Sequence, residues 1–306
     1  MSLKTLSDAT SPAPKDKRDT GGWVALVIFV ISVVVGIVVS LLPPGDDDLD
    51  PDPVLCGELG ATCATGDCCT TGLMCRSGLC QHPGIVTKKL ALYVDPSVAA
   101  SYPGLGTTLF DLSGNQQNCT LQGGASVTNS VVALDGDRQY ISTTYLPTLD
   151  GAYTFELWFW DDVSGISHNA GTALISNYGG SKTVPLASVE ISSTGFLSAS
   201  ERNTAGLHVA VAGPFIVTGQ WVHVVASATT TLLTLYVNGV EFDSVERPGG
   251  SVTSTHALVI GGNHLGRYQT CRLGPVRVYH DKALTSAEGA QNYSAEKNMS
   301  HLVHSG

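Results

Sequence analysis

The chain has 306 residues, a formal net charge of −10 and 14% charged residues, well below the roughly 25% of an average soluble domain. The excess of acidic side chains disfavours nucleic acid and anionic membrane surfaces as partners. Abundant Gly, Ser, Thr and Val, with few long helical patterns, predict short strands joined by turns.

An uncharged run of twenty residues, 23–42, is long enough for a transmembrane helix that crosses a hydrocarbon core of about 30 Å. Lys15, Lys17 and Arg18 precede the run, and several aspartates follow it. This bias predicts a single-pass type II membrane protein with residues 1–22 in the cytoplasm and the remainder outside. A cleaved signal peptide is the alternative, but twenty residues are too many for its apolar region and no cleavage motif follows.

Small residues recur every four positions in this run, at Ser32, Gly36 and Ser40. They would share one helix face, which predicts either close approach of two membrane helices, and hence self-association, or a lipid-facing surface. An acidic stalk rich in Pro and Asp follows at 43–55.

A cysteine-rich module occupies 56–81 and is followed by a linker at 82–89. On the outer side of a membrane, cysteines persist as disulfides. Six cysteines allow fifteen pairings, and their spacing does not choose among them. Zinc is the alternative, although adjacent cysteines do not form the paired C-x-x-C of structural zinc sites. The six are Cys56, Cys63, Cys68, Cys69, Cys75 and Cys80.

The order C…C…CC…C…C resembles the inhibitor cystine knot, or knottin, family. The resemblance covers about 25 residues and implies the pairs Cys56–Cys69, Cys63–Cys75 and Cys68–Cys80. Knottins include toxins and protease inhibitors as well as inert spacers. A tethered knot between a stalk and a larger domain favours a rigid spacer over an inhibitor.

From residue 90 the pattern is that of strands and turns. In "AYTFELWFWDD" the side chains from Tyr153 to Phe159 alternate between two faces. Asn238 and Gly239 predict a tight hairpin, because a type I′ turn needs positive φ at both positions. Thr285 and Glu288 have the spacing of a capping box that starts a short helix. The regular succession of short strands predicts a β-sandwich.

The segments "QWVHVV", "LYVNGVEF" and "LGPVRVYHDKALTSAEGAQNYSA" resemble laminin G-like, concanavalin A-like jelly rolls. The resemblance runs over 90–296, leaves a tail at 297–306, and implies a mainly β fold of two antiparallel sheets. Domains of this type commonly bind glycans or proteins, and many bind calcium. Asp135 and Asp137 in "LDGDRQY" are the candidate Ca²⁺ ligands, with ordinary turn chemistry as the alternative.

Cys119 and Cys271 stand where the jelly-roll pattern usually has glycine. Because strands near the two ends of such a domain are neighbours, we expect a Cys119–Cys271 disulfide. Two buried free thiols are the alternative.

Some jelly rolls of this class are glucanases, which need two carboxylates about 5–5.5 Å apart for retention. The nearest candidates, Glu156 and Asp162, are six residues apart on one strand, about 20 Å at ~3.3 Å per residue. The sequence contains neither a G-x-S-x-G elbow nor a phosphate loop. We therefore expect no catalytic activity.

Candidate ligand contacts are aromatic or polar residues on one strand and in two glycine-flanked loops, "SNYGGSK" and "GGNHLGRYQ". Loops on a rigid sandwich commonly carry binding, whereas packed tryptophans and plain turns are the structural alternatives. The candidates are Trp158, Trp160, Asn177, Tyr178, Asn263, His264, Arg267 and Tyr268.

Sequons for N-glycosylation occur at Asn118, Asn292 and Asn298, for use if the host glycosylates. The sequence thus predicts a membrane-anchored, outward-facing attachment or adhesion protein whose head binds glycan or a coat protein. A structural virion protein that ties a coat to its lipid membrane is the second hypothesis, and a knottin-type inhibitor is the third.

Overall fold

A computed structural model describes residues 84–162, 172–178, 185–203, 205–247, 254–263, 265–299 and 302, and the backbone of two short strands before them. Those strands, β1 (Met74–Arg76) and β2 (Leu79–Gln81), pair antiparallel with Cys75 opposite Cys80. The four other cysteines of the predicted knot and the run 23–42 lie outside the described residues. Within the described part of the chain, no helix has the length and apolarity required to span a bilayer.

Sixteen further strands and one helix form the sandwich in the described residues. The first eight strands are β3 (Leu90–Val94), β4 (Thr108–Leu109), β5 (Cys119–Gln122), β6 (Ser126–Thr128), β7 (Val131–Asp135), β8 (Tyr140–Thr143), β9 (Tyr153–Asp161) and β10 (Thr172–Tyr178). The others are β11 (Pro185–Ile191), β12 (Phe196–Arg202), β13 (His208–Phe215), β14 (Trp221–Ala228), β15 (Leu232–Val237), β16 (Val240–Glu246), β17 (Val259–Ile260) and β18 (Thr270–His280). Helix α1 (Ser286–Glu296) follows the last strand.

The strands form two antiparallel sheets of eight strands each. Sheet I has the order β16-β15-β14-β9-β18-β7-β6, and β3 pairs with the far half of β18. Sheet II has the order β13-β12-β11-β10-β17-β8-β5-β4. The many crossovers between strands distant in sequence are those of the predicted two-sheet sandwich.

The core lies between the two sheets and follows the alternation of the strands. Tyr153, Phe155, Leu157 and Phe159 of β9 all point into it and are almost completely buried. Burial of each such side chain contributes about 1.5–3 kcal/mol, so this strand is a main source of stability.

The hairpin between β15 and β16 has the predicted turn. Asn238 has φ of 51° and Gly239 has φ of 77°, as a type I′ turn requires. A Cβ at position 239 would lie 2.9 Å from the Tyr293 ring, so glycine is required here both by backbone conformation and by the approach of α1.

Helix α1 begins with the predicted capping box, in which Thr285 and Glu288 exchange side-chain and backbone hydrogen bonds. The helix packs on the outer face of sheet I, where Trp158 Nε1 donates to Glu296 Oε2 at 2.8 Å. That outer face is therefore covered, which matters for the predicted ligand contacts.

The predicted Cys119–Cys271 disulfide is not present, and both residues are buried free thiols. Cys119 lies on β5 of sheet II, whereas Cys271 lies on β18 of sheet I. A strand near the start of the domain does pair with β18, as expected, but that strand is β3 and not β5, which carries Cys119.

Candidate functional site

The outer face of sheet II carries a row of small side chains that crosses all eight strands. Because their strand neighbours Leu121, Ile141 and Ala199 point into the core, the row faces away from it. The row consists, in register order, of Thr108, Thr120, Ser142, Val259, Ser176, Ser188, Ser200 and Ala210. Ser176, Ser188 and Val259 in the middle of the row are buried, whereas Ser142 is partly accessible.

A cavity of about 430 Å³ opens over this row at β8 and β17. Its volume lies within the range of small-molecule sites, about 300–1,000 Å³. We call it the tyrosine cavity. Its lining combines aromatic, aliphatic and polar residues: Tyr140, Ser142, Thr143, Ala257, Leu258, Val259, Asn263, Leu265, Gly266 and Tyr268.

The aromatic wall of the cavity is a stacked pair, Tyr140 and Tyr268, with ring centroids 5.6 Å apart. Gly262 makes this packing possible, since a Cβ there would lie 2.9 Å from Tyr268 Cδ1 and 3.3 Å from the Arg267 carbonyl oxygen. An isolated antiparallel β-bridge also pairs Gly262 with Tyr268. The wall is thus fixed by the backbone of the loop that follows β17.

Asn263 organises that loop. Its Oδ1 accepts hydrogen bonds from the Leu265 N–H at 3.0 Å and the Arg267 N–H at 3.2 Å. Asn263 is 5% exposed, so its oxygen serves the loop and a ligand would meet the tyrosine rings first.

The two glycine-flanked loops singled out in the sequence do converge. Ser176 Oγ donates to the Gly262 carbonyl at 3.0 Å, and Asn177 Nδ2 donates to the His256 carbonyl at 2.7 Å. Asn177 is completely buried, which corrects its prediction as a ligand contact to a role in tying β10 to the segment before β17. Strand β10 ends with the backbone of Tyr178, whose side chain lies outside the described residues, as does His264.

Glu190 on β11 and Arg267 after β17 interact electrostatically. Burial raises the pKa of Glu190, and the Ser188 hydroxyl and the Arg267 guanidinium oppose that rise. Arg267 is exposed and lies in the loop that Asn263 organises.

Trp158 and Trp160 lie on β9 of sheet I, so they do not form one binding surface with these loops, which follow strands of sheet II. Trp158 is 2% exposed, because helix α1 lies over it and Tyr293 stacks on its ring at 5.6 Å. Trp160 is half-buried, with the Arg272 guanidinium 5.4 Å from its ring centroid. The prediction of a sugar-stacking surface here is therefore wrong for Trp158.

Glu156 belongs to a buried ionic cluster under α1. Its Oε1 lies 3.1 Å from Arg277 Nη1 and 2.8 Å from His223 Nε2, and Asn292 Nδ2 donates to its Oε2 at 2.8 Å. Burial disfavours the charged carboxylate, but Arg277 and His223 outweigh it and lower the pKa of Glu156 to about 2. A carboxylate that is fully buried and fully bonded is structural and unavailable to a substrate.

Asp162, the other carboxylate of the rejected pair, lies on the surface. It forms an ion pair with Arg272 at 3.1 Å, apart from the Glu156 cluster. The lining of the tyrosine cavity offers aromatic, hydroxyl and amide groups, which can bind a ligand through stacking and hydrogen bonds.

Asp135 and Asp137 lie at the end of β7 and in the turn that follows it. Asp135 accepts from the Asp137 N–H at 2.8 Å and from Gln139 Nε2 at 2.9 Å, while the Asp137 side chain is 88% exposed. These contacts are turn chemistry. No group of three or more His, Cys, Asp and Glu in the described chain could hold a metal ion.

The three sequons differ in accessibility. Asn118 and Asn298 are exposed, whereas Asn292 is fully buried. Asn292 Oδ1 accepts from the Val86 N–H at 2.7 Å, and its amide donates to Glu156. A glycan on Asn292 is incompatible with these contacts, so that predicted acceptor is wrong for the folded chain.

Tyr140 and Ser142 were not identified from the sequence. The alternation in "QYIS" around buried Ile141 places both on the outer face, which was a usable signal. Their position opposite β17, more than 100 residues later, has no local signature.

Residues 135–288 match a laminin G family model described as the concanavalin A-like lectin/glucanases superfamily. The match confirms the jelly-roll resemblance over that range. No curated protein is significantly similar to the chain in sequence.

Three solved structures illustrate the shared fold. The binding domain of Paraclostridial Mosquitocidal Protein 1 superposes with a TM-score of 0.57 at 16% identity, over 69% of this chain and 53% of that one. The receptor binding domain of botulinum neurotoxin C/D mosaic serotype gives 0.56 at 13% identity, over 69% and 52%. A Trypanosoma rangeli sialidase in complex with sialic acid gives 0.55 at 12% identity, over 74% and 35%. The chain thus spans about half the length of the two toxin domains, and these identities establish the fold alone.

Proposed function

Because the chain belongs to the concanavalin A-like lectin/glucanase superfamily, we propose that its sandwich is a binding head that recognises a glycan through the tyrosine cavity. The head acts as a binding module and performs no catalysis. The observation that carries the proposal is the stacked Tyr140–Tyr268 wall beside the hydroxyl groups of Ser142 and Thr143.

The cavity suits the two-sided character of a sugar ring. The C–H face of a sugar is apolar and is buried favourably against an aromatic ring. Its hydroxyls can donate to Ser142 Oγ and Thr143 Oγ1. These two hydroxyls serve as acceptors, because their own protons go to the Thr120 carbonyl at 3.3 Å and the Leu258 carbonyl at 2.9 Å.

We further propose that the head is displayed on the outer side of a membrane by the apolar run 23–42, with the knot-like module at 56–81 as a spacer. The charge bias around that run and the six clustered cysteines support this arrangement. Adhesion or attachment to a glycan-bearing surface is then the role of the protein.

A glycan array with the purified full chain, with and without chelator, tests the proposal. We expect binding to a restricted set of oligosaccharides, and a signal that chelator removes would assign a cation to the binding site. Tyr268→Ala should abolish the signal, whereas Tyr102→Ala, at a site outside this cavity, should retain it. A signal that Tyr268→Ala leaves intact would rule out the cavity.

Binding to a coat protein, as in the structural-virion hypothesis, is the second candidate. The edge strand β16 favours it, because Val240 is 69% and Phe242 is 51% exposed and sheet edges pair with other chains. An array without any glycan signal, together with co-purification of a coat protein that Phe242→Ser disrupts, would select this candidate.

A further inference from the structure

A second cavity, larger than the tyrosine cavity, opens at one end of the sandwich. It has a volume of about 550 Å³, and we call it the rim cavity. It lies where β3 begins and β18 ends, and the segments before β5 and after β8 complete it. Its lining residues are Lys89, Leu90, Ala91, Asn115, Gln117, Tyr145, Leu146, Thr148 and His280. It shares no lining residue with the tyrosine cavity.

Hydrogen-bond donors dominate the polar lining of the rim cavity. Its lining contains the Lys89 ammonium and the His280 imidazole, and the adjacent Asp281 carboxylate lies 3.7 Å from the first and 3.4 Å from the second. Gln117 Oε1 already accepts from Thr144 at 3.2 Å, which leaves its amide nitrogen as a donor. Burial, reinforced by the Asp281 charge, raises the pKa of Tyr145 to about 12, so its phenol keeps its proton and can donate.

The counter-charge of Lys89 is loosely held. Its Nζ lies 3.7 Å from Asp281 Oδ2, beyond hydrogen-bonding distance, and both side chains are about half exposed. An ion pair of this kind contributes little net free energy. A second anion can therefore exchange with Asp281 at small cost.

The backbone around the rim cavity is strained at three points. Lys89, Gln116 and Asp281 have φ of 64°, 58° and 51°, in the left-handed region that non-glycine residues rarely adopt. The His280 N–H donates to the Lys89 carbonyl, and Asp281 is the next residue after His280. Backbone strain of this kind concentrates at binding sites because the surrounding structure must hold it in place.

We propose that the rim cavity is a second site, which binds a saccharide that carries a carboxylate or sulfate group. Lys89 contacts the anionic group, His280 and Gln117 donate to neighbouring oxygens, and the exposed Leu146 covers an apolar part of the ring. The site is separate from the tyrosine cavity, so it goes beyond the function proposed above and does not depend on it.

Titration calorimetry of the full chain with three probes tests the proposal: a sulfated heparin disaccharide, digalacturonic acid and neutral lactose. We expect at least one charged probe to bind about tenfold more tightly than lactose, as one charge-assisted hydrogen bond provides. Binding of the sulfated or of the carboxylated probe alone identifies the preferred anionic group. Lys89→Met should lose about tenfold in affinity.

The control is Lys88→Met, which removes an equal charge one residue away at an exposed position that does not line the cavity. It should change affinity by less than about twofold. Tyr268→Ala should leave charged-probe binding intact, so failure of the tyrosine cavity and failure of the rim cavity are distinguishable. Equal losses in Lys88→Met and Lys89→Met, equal affinity of the Tyr268→Ala chain for lactose and the charged probes, or no binding of either charged probe would each overturn the proposal.

Discussion

Replacement of Arg277 with methionine is expected to destabilise the sandwich strongly. Arg277 is completely buried between Glu156, at 3.1 Å, and Glu296, whose two carboxylate oxygens it also contacts. Its guanidinium also lies 4.5 Å from the centroid of the Tyr93 ring. Methionine preserves most of the volume but removes the guanidinium that two buried carboxylates share, which leaves Glu156 with His223 and Asn292 as its partners.

Removal of one partner from a buried ion pair costs about 3–5 kcal/mol, because the remaining charge is uncompensated. A domain of about 200 residues loses roughly 2–4 °C in Tm per kcal/mol, so Arg277→Met should lower Tm by about 6–20 °C. Thermal unfolding of the full chain by near-ultraviolet circular dichroism measures this change. Trp158 lies in the same cluster through Glu296.

The matched control is Arg138→Met. The side chain of Arg138 is 84% exposed and lies 3.9 Å from Asp137, so this change should alter stability by less than about 0.5 kcal/mol. If Arg277→Met lowered Tm no more than Arg138→Met does, the buried cluster would not stabilise the sandwich as described.

Four further predictions concern the acid stability of the chain, the tyrosine cavity, the sequons and the cysteines. The pKa of Glu156 is lowered to about 2 in the folded chain. The ionised carboxylate therefore contributes its full stabilisation above the unfolded pKa of about 4.3, and this contribution is lost as pH falls through 2. In an acid titration, the stability of Glu156→Gln should fall less steeply with pH than that of the unaltered chain. Gly262→Ala places a Cβ 2.9 Å from the Tyr268 ring, which displaces the ring. Glycan binding should weaken about tenfold or more, because a stacking contact is lost. Binding at the rim cavity should be unchanged. In a glycosylating host, mass spectrometry after glycosidase treatment should find Asn298 modified and Asn292 unmodified, since only the first is exposed. Alkylation of the unreduced, denatured chain should label two cysteines, the buried thiols of the sandwich, and labelling of all eight would exclude the disulfide-bonded module.

Local sequence signals predicted those parts of the fold that short-range chemistry determines. The positive φ required at Asn238 and Gly239 and the capping box at Thr285 each depend on a few neighbouring residues. The alternation in β9 assigned every side chain from Tyr153 to Phe159 to the correct face. These signals were sufficient for the sandwich class and for the start of α1.

The same local signals did not predict which distant segment packs on each face of a strand or helix. Trp158 was assigned to the correct face of β9, but α1 returns more than 130 residues later to lie on it through Glu296. The sequon at Asn292 was likewise a correct motif on a buried helix face. In both cases the deciding contact joins segments with no local relationship in sequence.

The candidate site was predicted in part. Asn263, Arg267 and Tyr268 do lie in the loop beside the tyrosine cavity, because glycine-flanked polar loops mark the ends of sandwich strands. Tyr140 was missed, since its stacking on Tyr268 depends on the pairing of β8 with β17. Long-range register of this kind is set by the whole core.

Hydrogen–deuterium exchange of the full chain, with and without the best glycan from the array, tests most directly whether the head binds sugar on the outer face of sheet II. The account predicts new protection at 140–143 and 257–268, the segments that line the tyrosine cavity. Protection confined to sheet I, around 153–161, would contradict it.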